Sequence, residues 1–232
     1  MLKMYPTGEG RPPKEQLQAT VDVVLFTISD DELKVVLIER KREPLAGSLA
    51  LPGGFMWQGE TAAQTAARVL ATKAGVADIY MEQLFTFDAV NRDERGRIVS
   101  IAHMALVPVH KLKFEDGPQI EAPALYPVRQ HPKLSFDHDG ILDYGVRRLA
   151  SKLAYTNIAY ALLPEQFTLT QLQRLYELVL DRALDKRNFR KKYVTLDLIE
   201  PAGEQSSGGR HRPAQLYTFK TSQPIELSEP AL

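Results

Sequence analysis

Two glycines and two arginines mark the first segment whose residue types suit phosphate binding. Gly53 and Gly54 end a short loop after two β-branched runs, and a glycine lets the backbone approach a ligand closely. Arg40 and Arg42 follow the second run, and a guanidinium pairs well with phosphate oxygens. A tight turn and a solvated loop explain the same residues equally well, so this local pattern leaves both interpretations open.

A basic segment near the C-terminus is the second feature with a chemical consequence. The run KRNFRKK holds five basic residues in seven, namely Lys186, Arg187, Arg190, Lys191 and Lys192. Phe189, Tyr193 and Leu196 lie at positions i, i+4 and i+7, which predicts a helix with one apolar and one positive face. Such a helix suits the major groove of DNA, where Arg and Lys contact phosphates and guanine edges.

Within this helix, Arg187 and Arg190 are the candidates for base or phosphate contact, and the following lysines are candidates for phosphates. A Gly/Ser/Arg-rich tip then separates two strand-like segments, and its positive residues suit the DNA backbone or minor groove. These residues are Arg210, His211 and Arg212. A charge run is usually only a solvated surface, but two runs on the third helix and wing of one predicted motif favour DNA binding.

The composition indicates an ordinary folded protein of two domains. The chain has 232 residues, of which 44% are hydrophobic and 25% charged, a size that favours two compact units. There is no cysteine, which excludes disulfides, a thiol nucleophile and Cys-based zinc sites. Residues 168–220 hold ten Lys or Arg against six Asp or Glu, which leaves 19 against 23 elsewhere. A basic C-terminal module therefore follows an acidic N-terminal one. With no signal-peptide pattern or membrane-length apolar run, we expect a cytoplasmic protein without membrane contact.

The N-terminal part alternates between strand and helix patterns. Strands are predicted at residues 20–29, 33–40, 79–87 and 98–109, and helices at 60–74 and 137–154. In the first helix, Ala63, Ala66, Ala67 and Leu70 recur at helical spacing, and Gly75 is a plausible stop. The pattern predicts one α/β domain over residues 20–154, after an N-terminal extension at 1–19.

The second domain, residues 155–220, shows the pattern of a winged helix-turn-helix. Thr170 and Gln173 have capping-box spacing ahead of an apolar stripe that consists of Leu172, Leu175, Tyr176 and Val179. After a short connection, Asp185 is the predicted N-cap of the basic helix, and a hairpin pattern follows it. We expect the tail, residues 221–232, to be disordered.

The spacing of Gly54, Glu60, Arg68 and Gly75 resembles the Nudix box, G-x5-E-x7-R-E-U-x-E-E-x-G-U with U apolar. Three glutamates of that pattern are replaced, by Val69, Thr72 and Lys73. On a helix those positions share one face, where carboxylates would converge on Mg²⁺ and so support pyrophosphate hydrolysis. The resemblance therefore implies a Nudix fold with no catalytic residues and no metal site.

Several charged residues have both a ligand-binding and a purely structural interpretation. Lys73 either replaces the charge of the missing metal beside a bound pyrophosphate or is a solvated helix lysine. Glu60 and Arg68 either belong to the ligand site or form a structural ion pair. A hairpin near the ligand in ADP-ribose-binding Nudix proteins corresponds to the turn that carries Asp88, Arg92 and Arg97, although charges on a turn are more often solvated. His103 is predicted to be a satisfied core or edge histidine.

Taken together, the altered Nudix box, FDHDGIL, LAYTNIAYALLPEQFTL and LDKRNFRKK resemble the Nudix-related transcriptional regulators of bacteria over roughly residues 21–219. The resemblance implies an α+β chain, with a Nudix-type α/β/α sandwich followed by a winged helix-turn-helix. It also implies a homodimer that senses ADP-ribose or a related nucleotide without a cofactor, binds a palindromic operator in double-stranded DNA, and represses genes such as those of NAD metabolism. Glu94 stands where the family pattern has proline, so individual ligand contacts can differ.

Two other functions remain open on sequence grounds. One is a Nudix hydrolase of ADP-ribose or another nucleoside diphosphate derivative with an accessory nucleic-acid-binding domain. The carboxylates missing at positions 69, 72 and 73 disfavour it. The other is an adaptor whose winged helix binds protein, which the positive helix and wing disfavour.

Overall fold

A mixed seven-stranded sheet forms the centre of the N-terminal domain. The computed structural model describes residues 17–114, 123–205, 214–227 and 230–231. The strands are β1 (Gln18–Ser29), β2 (Glu32–Glu39), β3 (Leu49–Ala50), β4 (Gly53–Phe55), β5 (Tyr80–Phe87), β6 (Ile98–Leu106) and β7 (Pro123–Pro127). Their order is β3-β2-β1-β6-β5, while β4 pairs with β1 and β7 with β2. The central strand β1 is parallel to β6 and antiparallel to β2.

One helix packs on each face of this sheet, which confirms the predicted α/β/α sandwich. The helices are α1 (Ala62–Ala74) and α2 (His138–Tyr155). Alternate side chains of β1 point to opposite faces of the sheet. Val21, Val23 and Leu25 therefore join the core beneath α1, whereas Val24 and Phe26 join the core beneath α2.

The predicted elements of this domain are correct in kind but differ at their ends. Helix α1 begins at Ala62 because Thr61 is its N-cap and forms a capping box with Gln64. Ala63 and Ala67 are exposed, so the buried face is the one that contains Ala66, Val69 and Leu70. Gly75 ends the helix in the left-handed region, with φ 63°, as the stop prediction requires. Strand β6 ends at Leu106, before a 3-10 turn at Val109–Lys111.

The C-terminal domain is a winged helix-turn-helix, as predicted. It consists of β8 (Phe167–Thr168), α3 (Leu169–Leu180), α4 (Lys186–Thr195), β9 (Ile199–Gln205) and β10 (Gln215–Phe219), with a sheet order of β8-β10-β9. The predicted apolar stripe of α3 is buried. One continuous apolar core extends from the sheet through α2 into α3 and α4. Among the helices of the described ranges, none is long and apolar enough to cross a membrane.

The predicted cap of α3 is wrong by two residues. The capping box is formed by Thr168 and Gln171, since the amide of Gln171 donates to Thr168 Oγ1 at 3.2 Å and the amide of Thr168 donates to Gln171 Oε1 at 2.7 Å. Gln173 instead donates to Glu177 and to the carbonyl of Leu184. Both Thr/Gln pairs have the required spacing, but Thr168 lies in β8, whose extended backbone suits an N-cap.

The prediction of a disordered tail is wrong for residues 221–227 and 230–231, which pack on the rest of the chain. The side chain of Asn157 makes two hydrogen bonds to the tail. Its Nδ2 donates to the carbonyl of Gln223 at 3.0 Å, and its Oδ1 accepts from the amide of Ile225 at 2.8 Å. Ala231 is fully buried. The partner Asn157 is remote in sequence, so the composition of the tail does not reveal these bonds.

Candidate ligand site and nucleic-acid interface

A cavity of about 210 Å³ lies in the N-terminal domain, and strands β1 and β4 and the loop before α2 form parts of its wall. Many of its walls come from residues that the sequence singled out. Six predicted ligand residues line it, namely Arg40, Arg42, Gly53, Gly54, Lys73 and Arg92. The tertiary structure thus assembles arginines from the loop after β2 and from the 91–97 turn, glycines from β4 and one lysine from α1.

Gly53 is sterically required by a buried carboxylate in the cavity wall. It pairs with Asp22 across the β1/β4 ladder, and a Cβ atom at this position would overlap Asp22 Oδ1. The Asp22 carboxylate accepts a 2.6 Å hydrogen bond from Ser100 Oγ and lies 3.6 Å from His138 Nε2. The glycine therefore lets the backbone approach a side chain of the protein itself, and its contact with a ligand stays a prediction.

Arg92 is a buried cation that joins the cavity to the start of α2. Its side chain is only 3% exposed. Its Nε and Nη2 donate to the two carboxylate oxygens of Asp137 at 2.8 and 2.6 Å, and Nη2 also lies 3.7 Å from Asp22 Oδ2. This forked geometry is the strong form of an arginine–carboxylate pair. Arg92 is therefore held in a fixed position at the cavity wall.

Guanidinium groups and phenyl rings alternate along one side of the cavity. The Cζ atom of Arg40 lies 4.7 Å from the ring centroid of Phe136. Arg95 Cζ lies 5.1 Å from the same centroid and 5.3 Å from that of Phe55. Cation–π contact fixes the guanidinium planes, and the Nε and Nη2 atoms of Arg40 also donate to the carbonyl of Pro44. We call this set, Arg40, Phe136, Arg95 and Phe55, the cation–π stack.

Sequence reasoning missed three members of this stack. Arg95 lies in the same turn as Arg92 and Arg97, so that turn already contained the signal. It is paired with Asp93 through hydrogen bonds of 2.9 and 2.6 Å. Phe136 has φ 55°, a strained conformation for a bulky residue, and such conformations concentrate at functional sites. That strain is visible only in the folded backbone.

His138, another residue that the sequence analysis did not select, is a buried histidine in the cavity wall. Its Nδ1 accepts a 3.0 Å hydrogen bond from the amide of Leu51. Burial lowers its pKa below the usual value, and this effect outweighs the nearby carboxylate of Asp22, which acts in the opposite direction. His138 is the first residue of α2, so both it and the preceding Asp137 link this helix to the cavity wall.

Four predicted ligand residues do not line the cavity. Glu60 and Arg68 instead pair with each other, with Arg68 Nε and Nη2 each 2.8 Å from a carboxylate oxygen. Arg68 also lies over the ring of Trp57 at 3.6 Å. Arg97 donates to the backbone carbonyl of Asp88 at 2.8 Å and so braces the turn. Glu60, Arg68 and Arg97 thus make structural contacts, and ligand contact by these four residues stays a prediction.

The Glu60–Arg68 pair predicts a measurable titration. Arg68 lowers the pKa of Glu60 to about 2, chiefly through its hydrogen bonds. Because the folded-state pKa is depressed, the pair stabilises the fold above the usual glutamate pKa near 4.5, and this contribution is lost as the pH falls toward 2. Arg68→Ala should return the Glu60 pKa to its ordinary range, as measured by carbon NMR of the carboxyl group. A pKa that stays near 2 in this variant would show that Thr65 and the Trp57 amide hold the carboxylate.

The three positions where Nudix glutamates are missing do not converge on one point. Val69 is buried in the core, and Thr72 Oγ1 donates back to the carbonyl of Arg68 at 2.8 Å. Only Lys73 reaches the cavity wall. In the described part of the chain, no group of three His, Cys, Asp or Glu side chains is arranged to hold a metal ion. His103 is buried with its Nδ1 2.9 Å from the Ile101 carbonyl, which agrees with the predicted core role.

Helix α4 has the two faces that the sequence predicts. Phe189 and Tyr193 are buried, whereas Lys186, Arg187 and Lys191 are exposed. Asp185 caps the helix, because its carboxylate accepts from the amide of Asn188 at 2.7 Å.

Two basic residues of α4 differ from the exposed ones. Arg190 is partly buried, and its Nη2 donates to Thr170 Oγ1 at 3.2 Å. Lys192 is also partly buried. Arg210, His211 and Arg212 of the wing tip lie outside the described residues. Arg187 is therefore the better exposed of the two predicted arginines.

Fold and site together define a two-domain protein, a Nudix domain with a cationic cavity joined to a DNA-binding type of winged helix. Residues 17–144 match the model of the NUDIX domain, and residues 159–219 match that of the NrtR DNA-binding winged helix domain. The chain belongs to the Nudix-related NrtR family of transcriptional regulators.

The relatives of this chain include both a transcriptional repressor and an enzyme. The ADPR responsive transcriptional repressor NtrR of Acinetobacter baylyi is 33% identical over 86% of this chain and 81% of its own length. An ADP-ribose pyrophosphatase of Methanocaldococcus jannaschii is also 33% identical, but only over 53% of this chain and 72% of its own. The match to the repressor thus extends beyond the Nudix domain, whereas the match to the enzyme covers about half of the chain.

The solved structures of one relative include a complex with DNA and a complex with ADP ribose. Shewanella oneidensis NrtR in complex with a 27mer DNA is 33% identical, with a TM-score of 0.79 over 91% of this chain and 98% of that one. The NUDIX domain of the same protein, in complex with ADP ribose, is 36% identical, with a TM-score of 0.53 over 60% of this chain and 93% of that one.

Proposed function

We propose that this chain is an ADP-ribose-responsive transcriptional repressor that binds DNA through its winged helix and does not hydrolyse its ligand. The observation that carries the proposal is the pairing of a cavity lined by five cationic side chains with an exposed basic face on α4. In the described residues, no group of acids is arranged to hold a metal ion. The repressor and DNA complex among the relatives support the same function.

The cavity suits a pyrophosphate that is neutralised by protein cations. Arg40 and Arg95 are oriented by the cation–π stack, and Arg92 is held by Asp137. Fixed guanidinium groups recognise phosphate oxygens at a low cost in side-chain entropy. Lys73 lies on the wall at the position where a glutamate would otherwise favour Mg²⁺. These charges support binding of ADP-ribose without metal. The NUDIX domain of a relative was crystallised with ADP ribose.

Hydrolysis is the second candidate function, because one relative is an ADP-ribose pyrophosphatase. Its chemistry needs carboxylates that hold cations and activate water. Of the three acids that line the cavity, Asp22, Glu43 and Asp93, two are already engaged. Asp22 accepts from Ser100, and Asp93 pairs with Arg95. Together with the residues at positions 69, 72 and 73, this supports a binding role rather than catalysis.

On DNA, we propose a homodimer that presents two copies of α4 to one face of the duplex. A symmetric dimer recognises a palindrome, with half-sites centred about 10 to 11 base pairs apart or a multiple of that distance. Control of genes of NAD metabolism remains a prediction from the family resemblance.

Calorimetry with ADP-ribose in the presence of a metal chelator tests the ligand. We expect binding without metal, and no AMP above background when the protein is incubated with ADP-ribose and Mg²⁺ or Mn²⁺. Turnover on the order of 1 per second, ordinary for an enzyme, would overturn the binding role. Absence of binding in the chelator would instead refute the idea that cations of the protein replace a metal.

Lys73 offers a specific test of this charge replacement. Lys73→Glu should weaken metal-free binding of ADP-ribose about tenfold, which corresponds to the loss of one charge contact of about 1.4 kcal/mol. The matched control is Lys133→Glu, because Lys133 is exposed and does not line the cavity. Equal affinities of both variants and the parent would make Lys73 an ordinary surface lysine.

A further inference from the structure

The C-terminal end of α2 is where the winged helix is attached to the Nudix domain. The last four carbonyl groups of a helix have no partner within the helix. In α2 each of the four accepts from a residue beyond the helix. Lys152 accepts from Thr156, Leu153 from Tyr176, Ala154 from Ala231 and Tyr155 from Leu227. One of these partners lies in the wing domain and two lie in the tail, so the end of α2 anchors both segments.

The bond to Leu153 continues into the DNA-binding helix. The hydroxyl of Tyr176, on α3, donates to the carbonyl of Leu153 at 3.0 Å. The same hydroxyl accepts from the hydroxyl of Tyr193 on α4. Both tyrosines are fully buried, and their rings meet edge to face with centroids 5.6 Å apart. Burial raises the pKa of both hydroxyls, so each keeps the proton that it donates.

The opposite end of α2 contacts the cavity. Asp137, its N-cap residue, holds Arg92, and His138 accepts from the amide of Leu51. The helix has 18 residues and is therefore about 27 Å long. Its buried residues pack along the sheet, so a shift at one end is expected to move the other. A ligand that binds Arg92 therefore acts, through Asp137, on the same helix whose other end is bonded to Tyr176.

We propose that the chain of hydrogen bonds from Tyr193 to Tyr176 to the Leu153 carbonyl transmits the state of the ligand cavity to the orientation of α4. Tyr176 is a positioning residue in this relay, since it contacts neither the cavity nor the exposed face of α4. The inference rests on the proposed function, because it requires both ADP-ribose and DNA binding. The effect of the ligand on DNA affinity then depends on the buried hydroxyl of Tyr176, which links α3 to α2 and α4.

Besides the exposed Arg129–Asp181 pair, another ion pair connects the domains and provides an alternative route. Arg174 on α3 donates to both carboxylate oxygens of Asp31, in the β1–β2 turn, at 2.7 Å. Both side chains are substantially exposed, with 45% and 66% of their surface accessible. Exposed pairs of this kind contribute little and are screened by salt. We therefore expect the buried relay to carry the coupling, and Asp31→Asn separates the two routes.

The test compares DNA affinity with and without saturating ADP-ribose, by fluorescence anisotropy on a duplex selected from random DNA by the parent protein. We expect the parent to show a change of at least fivefold, the lower end of ordinary allosteric coupling. Tyr176→Phe should bring the ratio of the two affinities to within about twofold of one. Calorimetric affinity for ADP-ribose and DNA affinity without ligand should stay within about twofold of the parent. The controls Tyr217→Phe, which removes a partly buried hydroxyl in the wing sheet, and Asp31→Asn should keep the parental ratio.

The possible results distinguish failure of the relay from failure of the proposed function. Full coupling in Tyr176→Phe overturns the relay and leaves the proposed function intact. Loss of coupling in Asp31→Asn, with Tyr176→Phe unaffected, assigns the coupling to the surface pair and also overturns the relay. A parent that fails to bind either ADP-ribose or DNA refutes the proposed function itself, and the relay with it. If Tyr176→Phe unfolds, Tyr193→Phe, which removes only the first bond of the chain, must still reduce the coupling ratio.

Discussion

Replacing Arg187 by alanine should reduce the preference for operator over random DNA by about 1 to 3 kcal/mol for each lost base contact, the usual contribution of a good arginine–base pair. A symmetric dimer would lose one such contact on each half-site. Arg187 is exposed on α4, and the helix is fixed on its own domain by Phe189 and Tyr193. The side chain can therefore reach a base edge while the helix backbone stays in place.

Fluorescence anisotropy across a salt series distinguishes base contacts from phosphate contacts. Lys191→Ala should weaken binding to all sequences and lower the salt slope by about one to two units, if each subunit loses one phosphate contact. Arg147→Ala removes an exposed arginine from α2 and serves as the control for loss of charge. If Arg187→Ala and Lys191→Ala bind operator and random DNA as the control does, α4 is not the recognition helix. The wing at Arg210 and Arg212 would then become the next candidate.

Arg190→Ala provides a further comparison within the same helix. Arg190 is tied to Thr170 on α3, and its Nε has no hydrogen-bond partner among the described residues. We expect its loss to affect affinity for operator and random DNA alike, because a side chain anchored on α3 is poorly placed to read bases.

Arg92→Met should destabilise the fold by about 3 to 5 kcal/mol, the usual cost of removing one partner of a buried ion pair. The buried Arg92 guanidinium holds Asp137 through two hydrogen bonds and lies near Asp22, whose side chain is only 9% exposed. Methionine fills similar space without charge, so the two carboxylates would face each other without a cation. We expect the same variant to lose measurable ADP-ribose binding, since Arg92 lines the cavity.

Urea denaturation of single and double variants checks the physical cause. Asp137→Asn alone should also destabilise, whereas Arg92→Met combined with Asp137→Asn should cost less than the sum of the two, because residues in direct contact are not additive. Additive losses would mean that Arg92 and Asp137 do not stabilise each other, so that Arg92 acts through its other contacts. Arg68→Ala, which breaks a pair outside the cavity, should leave ADP-ribose affinity near that of the parent.

The sequence by itself determined the order and kind of the main elements. The β-branched run of β1 and the helical spacing of apolar residues in α3 both appear in the printed chain. The same local rules predicted Asp185 as an N-cap, Gly75 as a helix stop, and one buried and one positive face on α4. The sequence also predicted Gly53, Gly54 and Lys73 as ligand residues, and all three line the cavity. They belong to one strand-loop-helix unit, β4 and α1, so their positions depend mainly on local structure.

Only the tertiary structure decided which charged side chains face the cavity and which face each other. Glu60 and Arg68 pair with each other and do not line the cavity. Arg95 and Phe136 come from distant segments and are in contact in the cation–π stack. The choice of Thr168 over Thr170 as the cap of α3 depends on pairing between β8 and β10. Likewise, the tail is ordered by Asn157, more than sixty residues earlier. Such contacts depend on distances between residues far apart in the chain, and local periodicity contains no information about those distances.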